Sequence, residues 1–339
     1  MENKDILDIT KTILSIDSPS GYTKNVVDYL MNECISMGYT CEITNKGNLE
    51  VTINGENKNA LGIFAHVDTL GLMVRSIKPN GNLSFTTIGG PCLGTLDGEY
   101  CKIITRDKKV FTGTILSNSP SVHVYPDAST LPRDLNNMEI RIDEEVKNAE
   151  DVKKLGIRNG DVVSIDTKTT ITNSGFIKSR FLDDKLSVAI LLSILKDLKD
   201  KKVNRTLKFI FTVFEEVGHG ASYISDDITE VLGVDMGCIG LDLACTEYDV
   251  SICAKDSSGP YDYEMTSTLI SLAEKNNLPH AVDIYPMYGS DVSAALRGGN
   301  NIKGALIGPG VHASHGMERS HIKGVIATKK LIEAYISKN

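Results

Sequence analysis

Two patterns of hydrophobic and polar positions alternate along the chain. Near the start, a helical period of apolar residues predicts amphipathic helices over residues 3–16 and 22–37. The run "ALGIFAHVD" that follows is almost wholly apolar, which is typical of a central strand covered on both faces. From Ile177 onward the same pattern resumes, with "DKLSVAILLSILKDLK" as a helix and "TLKFIFTVF" as a buried strand. This alternation predicts an α/β fold with a mostly parallel sheet flanked by helices.

The middle of the chain has a different pattern, and it predicts an inserted domain. From about Leu72 to Ser174, short alternating segments such as "LSFTTI" and "VFTGTIL" are separated by Gly, Asn, Asp and Pro. Further strands are predicted at "MGCIGLDLA" and "IKGALIGPG", before a closing helix. We therefore predict an α/β catalytic domain made of residues 1–71 and 175–339. Residues 72–174 are predicted to form a small β-rich domain inserted between them.

Composition narrows the functional classes. The 339 residues are 41% hydrophobic and 24% charged, with a net charge of −8, as in an ordinary soluble globular protein. No concentrated basic face is evident, so nucleic acid is not expected as a partner. No apolar stretch approaches a membrane span, and the charged, helix-periodic start does not resemble a signal peptide. Seven scattered cysteines without a C-x-x-C pair favour reduced thiols and a cytoplasmic location.

Acids and imidazoles follow the apolar segments of the predicted α/β domain. In open α/β sheets, ligands bind beyond the carboxyl ends of the strands. Five separate segments deliver such residues to that edge: His66 with Asp68, Asp183 with Asp184, Glu215 with Glu216, Asp242, and His315. Singly, each has an ordinary structural explanation, such as a helix N-cap for an Asp or a solvated face for two glutamates. Together they would concentrate negative charge that divalent cations can neutralise.

The donor types indicate which metals would suit such a site. Histidines with several carboxylates and no nearby Cys favour two divalent ions, Zn, Co or Mn. The adjacent acids Glu215 and Glu216 are then explained if one is a metal ligand and its neighbour a general base. Side chains of adjacent strand residues diverge, so the chain is predicted to turn at "EEVG", where Gly218 permits it.

The ordered set of motifs resembles the dinuclear-metal aminopeptidases of peptidase family M42, which include glutamyl aminopeptidases and tetrahedral-shell enzymes. The resemblance rests on "SIDSPSGYTKNVVDYL", "GNL", "AHVDTLGLMV", "FLDDKLSVAILL", "FEEVGHGAS", "GLDLA", "YGSDVSAAL" and "SHGMERSHIKGV". It covers nearly the whole chain, including the insert. By resemblance, metal ligands are expected at His66, Asp183, Glu216, Asp242 and His315. Asp68 would orient His66, and Glu215 would be the general base.

The chain also departs from the family pattern. Lys185 stands where Arg is usual, and "EEVGHGAS" is one residue shorter than the common form. The last ligand follows from aligning "HGMERSHIKGV" through His315 and Glu318 with one residue missing. His312 and His321 remain rivals to His315 for that role.

The resemblance implies an aminopeptidase that removes N-terminal residues from peptides, with two divalent ions per subunit. It also implies homo-oligomers, from dimers built through the inserted domain up to twelve-subunit shells. A related metal-dependent amidohydrolase acting on N-acyl amino acids remains an alternative, as does a catalytically silent peptide-binding or assembly protein. A glycosidase would need two carboxylates flanking a sugar, and the histidines argue against it.

Overall fold

The chain folds into two compact units in a computed structural model that describes residues 2–338. One unit comprises the chain up to Thr69 and from Lys168 onward, and the other comprises Leu70–Thr167. In this described part, no helix combines the length and the apolar character needed to cross a bilayer.

The helices and strands are numbered in chain order. The helices are α1 (Glu2–Leu14), α2 (Lys24–Ser36), α3 (Ala149–Leu155), α4 (Leu182–Leu198), α5 (Tyr263–Lys275), α6 (Asp291–Arg297) and α7 (Ile322–Ile336). The strands are β1 (Thr40–Ile43), β2 (Leu49–Ile53), β3 (Asn57–His66), β4 (Gly71–Ile77), β5 (Leu83–Ile88), β6 (Tyr100–Ile104), β7 (Val110–Ser117), β8 (Met138–Ile142), β9 (Val162–Ile165), β10 (Thr170–Ile171), β11 (Phe176–Ser179), β12 (Arg205–Thr212), β13 (Ile228–Val234), β14 (Gly237–Cys238), β15 (Val250–Asp256), β16 (Gly259–Pro260), β17 (His280–Ile284), β18 (Lys303–Val311) and β19 (Glu318–His321).

A ten-stranded sheet forms the centre of the first unit. Its main path runs β1-β2-β12-β3-β13-β18-β15-β16, with β14 paired to β18 and β17 paired to β15. The four central strands β12, β3, β13 and β18 are mutually parallel, so their carboxyl ends share one edge. Helix α4 is buried along most of its length and packs against α1, α7 and strand β3. The predicted α/β architecture with a mostly parallel central sheet and flanking helices is confirmed.

The second unit is a closed β-barrel. Its six strands follow the order β4-β5-β8-β7-β6-β9, and every pair is antiparallel. Alternating residues point inward, and side chains such as Leu72, Phe85, Ile103, Ile115 and Ile140 fill the barrel core. A single helix, α3, is capped by the Asn148 side chain and ends at the left-handed Gly156.

One strand prediction in the first unit is wrong in position. The buried strand in this part of the chain is β13, Ile228–Val234, whereas the predicted "MGCIGLDLA" contains only the two-residue β14. The strand does not continue beyond Cys238, and from Gly240 the chain runs through an exposed turn. Asp242 therefore lies in a solvent-exposed turn rather than at the end of a central strand.

Candidate active site

The carboxyl ends of the four parallel strands bring the candidate residues together. Strand β3 ends at His66, and Glu215 follows β12 after a two-residue gap. Asp235 follows β13 directly, and His315 lies in the loop after β18. Parallel strands in register place all of these residues at one edge of the sheet.

The start of helix α4 adds two carboxylates to the same edge. Asp183 and Asp184 have non-helical backbone angles, and the preceding Phe181 has a φ of 64°. The Oδ1 atom of Asp183 is 3.1 Å from Nε2 of His66. The backbone N–H of His66 donates to Oδ2 of Asp184 over 3.2 Å. The two aspartates therefore reach His66 from different directions, one at the ring and one at the backbone.

The adjacent glutamates lie in a tight turn, as the sequence predicted. Phe214 has a φ of 69°, a 3₁₀ turn spans Glu215–Val217, and Gly218 has a φ of 87°. The carboxylate of Asp68 holds this turn, because it accepts the backbone N–H groups of Glu215 at 3.1 Å and Glu216 at 3.3 Å. The turn directs both glutamate side chains toward the candidate metal ligands, Glu215 to His66 and Glu216 to His315.

The orientation of His66 is set chiefly by a backbone carbonyl. Its Nδ1 atom lies 2.9 Å from the backbone oxygen of Asp68 and 3.6 Å from Oδ1 of the same residue. Asp68 is fully buried, and the hydroxyl of Ser20 donates to its Oδ2 at 2.5 Å. With Nδ1 engaged in this way, Nε2 of His66 faces Asp183 and Glu215, whose Oε2 is 3.7 Å away.

His315 reaches the cluster from the loop after β18. Its Nε2 atom lies 3.6 Å from Oδ2 of Asp183 and 3.6 Å from Oε2 of Glu216. Its backbone has a φ of 63°, and its N–H donates to Oε1 of Glu318 at 3.1 Å. The other carboxylate oxygen of Glu318 accepts the N–H of Asp183, also at 3.1 Å. Glu318 therefore connects the backbones of two candidate ligands.

The two rival histidines lie elsewhere. His312 is exposed, and its backbone pairs with that of Arg319. His321 caps helix α7, where Nδ1 accepts the N–H of Lys323 and Nε2 lies 2.8 Å from the backbone oxygen of Ser174. Both ring nitrogens of His321 are therefore engaged away from the cluster.

The structure corrects the expected place of Asp242. This residue is exposed in a turn, whereas Asp235, seven residues earlier, is only 6% exposed and lies in the cluster. Ligand atoms of His66, Asp184 and Asp235 come within 4.8 Å of one another. In the sequence, Asp235 follows the apolar run "VLGV" as Glu215 follows "FIFTVF", but the run is short and contains Gly233, so it gives only a weak strand signal.

Two groups of side chains have the donor types and spacing of metal sites. The first comprises His66, Asp183 and Glu216, and the second shares His66 and adds Asp184 and Asp235. Within the described chain, the buried Oε1 of Glu216 and Oδ1 of Asp184 have no hydrogen-bond partner. Buried carboxylate oxygens without partners are costly unless a cation compensates them, so the donor set fits divalent ions.

The electrostatics of the cluster show the same need for positive charge. Burial raises the pKa values of Glu215 and Glu216 well above their ordinary range, and neighbouring acids add to the shift. Burial alone would lower the pKa of His66, but Glu215, with further carboxylates, raises it well above its usual value. A divalent ion would lower these pKa values, because it stabilises the ionised carboxylates and the neutral imidazole.

A cavity of about 500 Å³ opens over the cluster. Candidate ligands form its floor, and its walls come from β14, the loop before α6, and α6 itself. Met236, Cys238, Met287 and Tyr288 make part of the wall apolar, and Arg297 lies at the helix end of the cavity. This volume accommodates a few residues of an extended peptide or a comparable small molecule.

Comparison with known proteins identifies the family. The family model for M42 glutamyl aminopeptidases matches residues 47–331. The chain belongs to this family. The protein YhfE of Bacillus subtilis (strain 168), which carries a provisional aminopeptidase name, is 45% identical over 97% of this chain and 96% of its own length. Membership confirms the predicted family and enzyme class, a metal-dependent aminopeptidase.

Solved structures support the same M42 fold. An aminopeptidase from Desulfurococcus kamchatkensis superposes with a TM-score of 0.89 at 23% identity, covering 99% of this chain and 96% of its own. The TET1 peptidase of Pyrococcus horikoshii, described as assembling into a tetrahedron or a large octahedral shell, gives a TM-score of 0.87 at 24% identity, covering 98% of this chain and 100% of its own. At these identities the likeness concerns the fold.

Proposed function

We propose that this M42 protein removes N-terminal residues from peptides, with His66, Asp183, Glu216, Asp235 and His315 holding two divalent ions and Glu215 acting as general base. The observation that carries the proposal is the placement of Glu215 beside this donor set. Its carboxylate is 3.7 Å from the His66 ring and lines the same cavity as Asp183, Glu216 and His315. Asp235 replaces Asp242 in the set because it alone of the two is buried among the other donors.

In the proposed hydrolysis, separate residues of the chain transfer the proton and hold the reacting groups in position. When bound, divalent ions supply Lewis-acid chemistry and lower the pKa of water toward neutrality. Glu215 accepts a proton at its carboxylate from the attacking water and delivers it to the departing amine. Asp68 keeps Glu215 in place by accepting its backbone N–H, and the backbone oxygen of Asp68 orients His66. Glu318 fixes the backbones of Asp183 and His315.

We also propose a homo-oligomer, from a dimer up to a dodecamer, assembled through the barrel unit, and a cytoplasmic location. The TET1 peptidase of similar fold, described as assembling into a tetrahedron or a large octahedral shell, supports assembly. All seven cysteines are unpaired, as expected in a reducing compartment. Size measurement by light scattering, before and after removal of residues 70–167, tests the assembly.

A substrate panel tests the proposed activity. Protein reconstituted with Zn, Co or Mn is assayed against peptides with a free α-amino group, the same peptides N-acetylated, and N-acyl amino acids. We expect hydrolysis only of the substrates with a free amino group. Cleavage of N-acyl amino acids alone would indicate an amidohydrolase instead. Full metal loading without hydrolysis of any substrate would support a peptide-binding role.

A further inference from the structure

The loop that carries the paired glutamates is tied together at its ends by a side chain outside the proposed mechanism. Asp291, the first residue of α6, is 5% exposed. The hydroxyl of Thr212, at the end of β12, donates to its Oδ2, and the N–H of Ala221 donates to its Oδ1 over 2.7 Å. One carboxylate therefore joins the residue before the loop to the residue after the glutamate turn.

Asn48 makes a second connection one residue further into the loop. Its Oδ1 accepts the N–H of Val213 at 3.0 Å, and its Nδ2 donates to the backbone oxygen of Gly220 at 3.1 Å. Asn48 is 3% exposed, so both of these hydrogen bonds are shielded from water. The ammonium of Lys46 also donates to the Gly220 oxygen, at 3.2 Å.

The second glycine of the Gly-His-Gly motif fits this arrangement. A Cβ atom on Gly220 would lie 2.4 Å from Oδ1 of Asp291, closer than any van der Waals contact permits. Any larger residue at position 220 would displace the Asp291 carboxylate from the Ala221 N–H. Gly220 and Asp291 are therefore matched to each other, which explains a motif residue that metal binding leaves unexplained.

We propose that Asp291 is a positioning residue that acts through Glu215 by closing the loop on which Glu215 lies. This inference rests on the proposed function. Asp68 holds the backbone at Glu215 itself, while Asp291 and Asn48 fix the distance between the two ends of the loop. A general base must be held to within about 0.5 Å of its working position, so loosening the ends reduces the rate without removing a ligand.

Kinetics with a matched control test the proposal. Asp291→Ala should lower kcat about ten- to a hundredfold, the cost of a misplacement near 1 Å, with KM and metal content little changed. The control is Asp283→Ala. Asp283 is also buried and accepts two loop N–H groups, those of Ala244 at 2.8 Å and Cys245 at 3.0 Å, but its loop carries no glutamate pair. For this control, kcat should stay within about threefold of wild type.

Two milder variants keep the test interpretable if Asp291→Ala folds poorly. In Asp291→Asn, the side-chain oxygen can still accept the Ala221 N–H, and its NH2 group can donate a hydrogen bond to the rotated Thr212 hydroxyl. Most of kcat should therefore return. Thr212→Val removes only the strand end of the connection, and a smaller loss in kcat is expected. If Asp291→Asn is as slow as Asp291→Ala, the charge and not the hydrogen bonding matters, and the positioning role is rejected.

A double-mutant cycle separates positioning from general destabilisation. In a Glu215→Gln background no base remains to be misplaced, so adding Asp291→Ala should cost no more than about threefold. If Asp291→Ala lowers kcat by the same factor in the wild-type and Glu215→Gln backgrounds, Asp291 does not act through Glu215. The same conclusion follows if Asp291→Ala in the wild-type background lowers kcat no more than Asp283→Ala does.

Hydrogen exchange supplies a measurement that does not need activity. Amides of residues 213–221 should exchange at least about tenfold faster in Asp291→Ala than in wild type, since the loop ends are released, and should be unchanged in Asp283→Ala. Unchanged exchange in this loop would overturn the inference. If wild type hydrolyses nothing while Asp291→Ala still releases the loop, the proposed function fails but the loop closure stands.

Discussion

Replacing Asp235 by Asn should stabilise the metal-free protein while weakening metal binding. Asp235 is 6% exposed. Burial, reinforced by the negative charge of Asp183, raises its pKa from the ordinary 3.8 to about 7. The charged form is therefore disfavoured in the folded state. The resulting loss of folding stability is absent below pH 3.8, the pKa of Asp235 in the unfolded chain. It grows as the pH rises and is complete above about pH 7.

The magnitude follows from the shift. About three pKa units at roughly 1.36 kcal/mol each correspond to a penalty of up to about 4 kcal/mol in the free energy of unfolding at pH 8. Asparagine carries no charge and can still accept the Met236 N–H that Asp235 accepts at 2.6 Å. Asp235→Asn should therefore raise the urea midpoint of the chelated protein clearly at pH 8 and much less at pH 5.

Two measurements decide this prediction. Urea midpoints of chelated wild type, Asp235→Asn and Asp242→Asn give the stability change, and elemental analysis of reconstituted proteins gives the metal content. Asp235→Asn should lose close to one metal equivalent per chain, whereas the exposed Asp242→Asn should match wild type in both assays. Metal loss in Asp242→Asn alone, or a lower midpoint for Asp235→Asn at pH 8, would refute the assignment.

Three further predictions concern the same site. Glu215→Gln should lose at least about a hundredfold in kcat while keeping its metal, and Glu216→Gln should lose metal; equal metal loss in both would mean that their roles are misassigned. His315→Ala should lose close to one metal equivalent, whereas His312→Ala and His321→Ala should keep both, as elemental analysis would show. Exhaustive chelation should abolish hydrolysis and Co, Zn or Mn should restore it; full activity of verified metal-free protein would exclude a metal-dependent mechanism.

Residues next to long apolar strands could be predicted from the sequence. His66 ends one long apolar segment, and the pair Glu215 and Glu216 follows another, so their place at the sheet edge is determined by local pattern. The turn at the glutamates was also predictable, because adjacent strand side chains diverge and Gly218 allows a positive φ. His315 could be placed only by register with the family pattern.

Asp235 could not be predicted from the sequence, because the strand before it depends on contacts with a distant helix. Strand β13 is short, carries the polar Thr229 and Glu230 after its first residue, and contains Gly233, all of which weaken a local strand prediction. A Cβ atom on Gly233 would lie 2.6 Å from Cγ2 of Val292, so the glycine allows α6 to approach the sheet closely. The alternating pattern of one segment cannot reveal a close contact with a helix almost sixty residues away. The connections made by Asp291 and Glu318 depend on long-range contacts in the same way.

The connection made by Glu318 limits how this protein can change length during evolution. One carboxylate spans the short segment back to His315 and also reaches the start of α4. Adding or deleting one residue between His315 and Glu318 would shift the chain by up to about 3.8 Å, so such a change, like the one residue by which this stretch is shorter than the family pattern, requires the loop to rearrange around the carboxylate. Insertions and deletions should therefore accumulate in exposed connections such as residues 121–131 of the barrel, and the His315–Glu318 spacing should persist among close relatives.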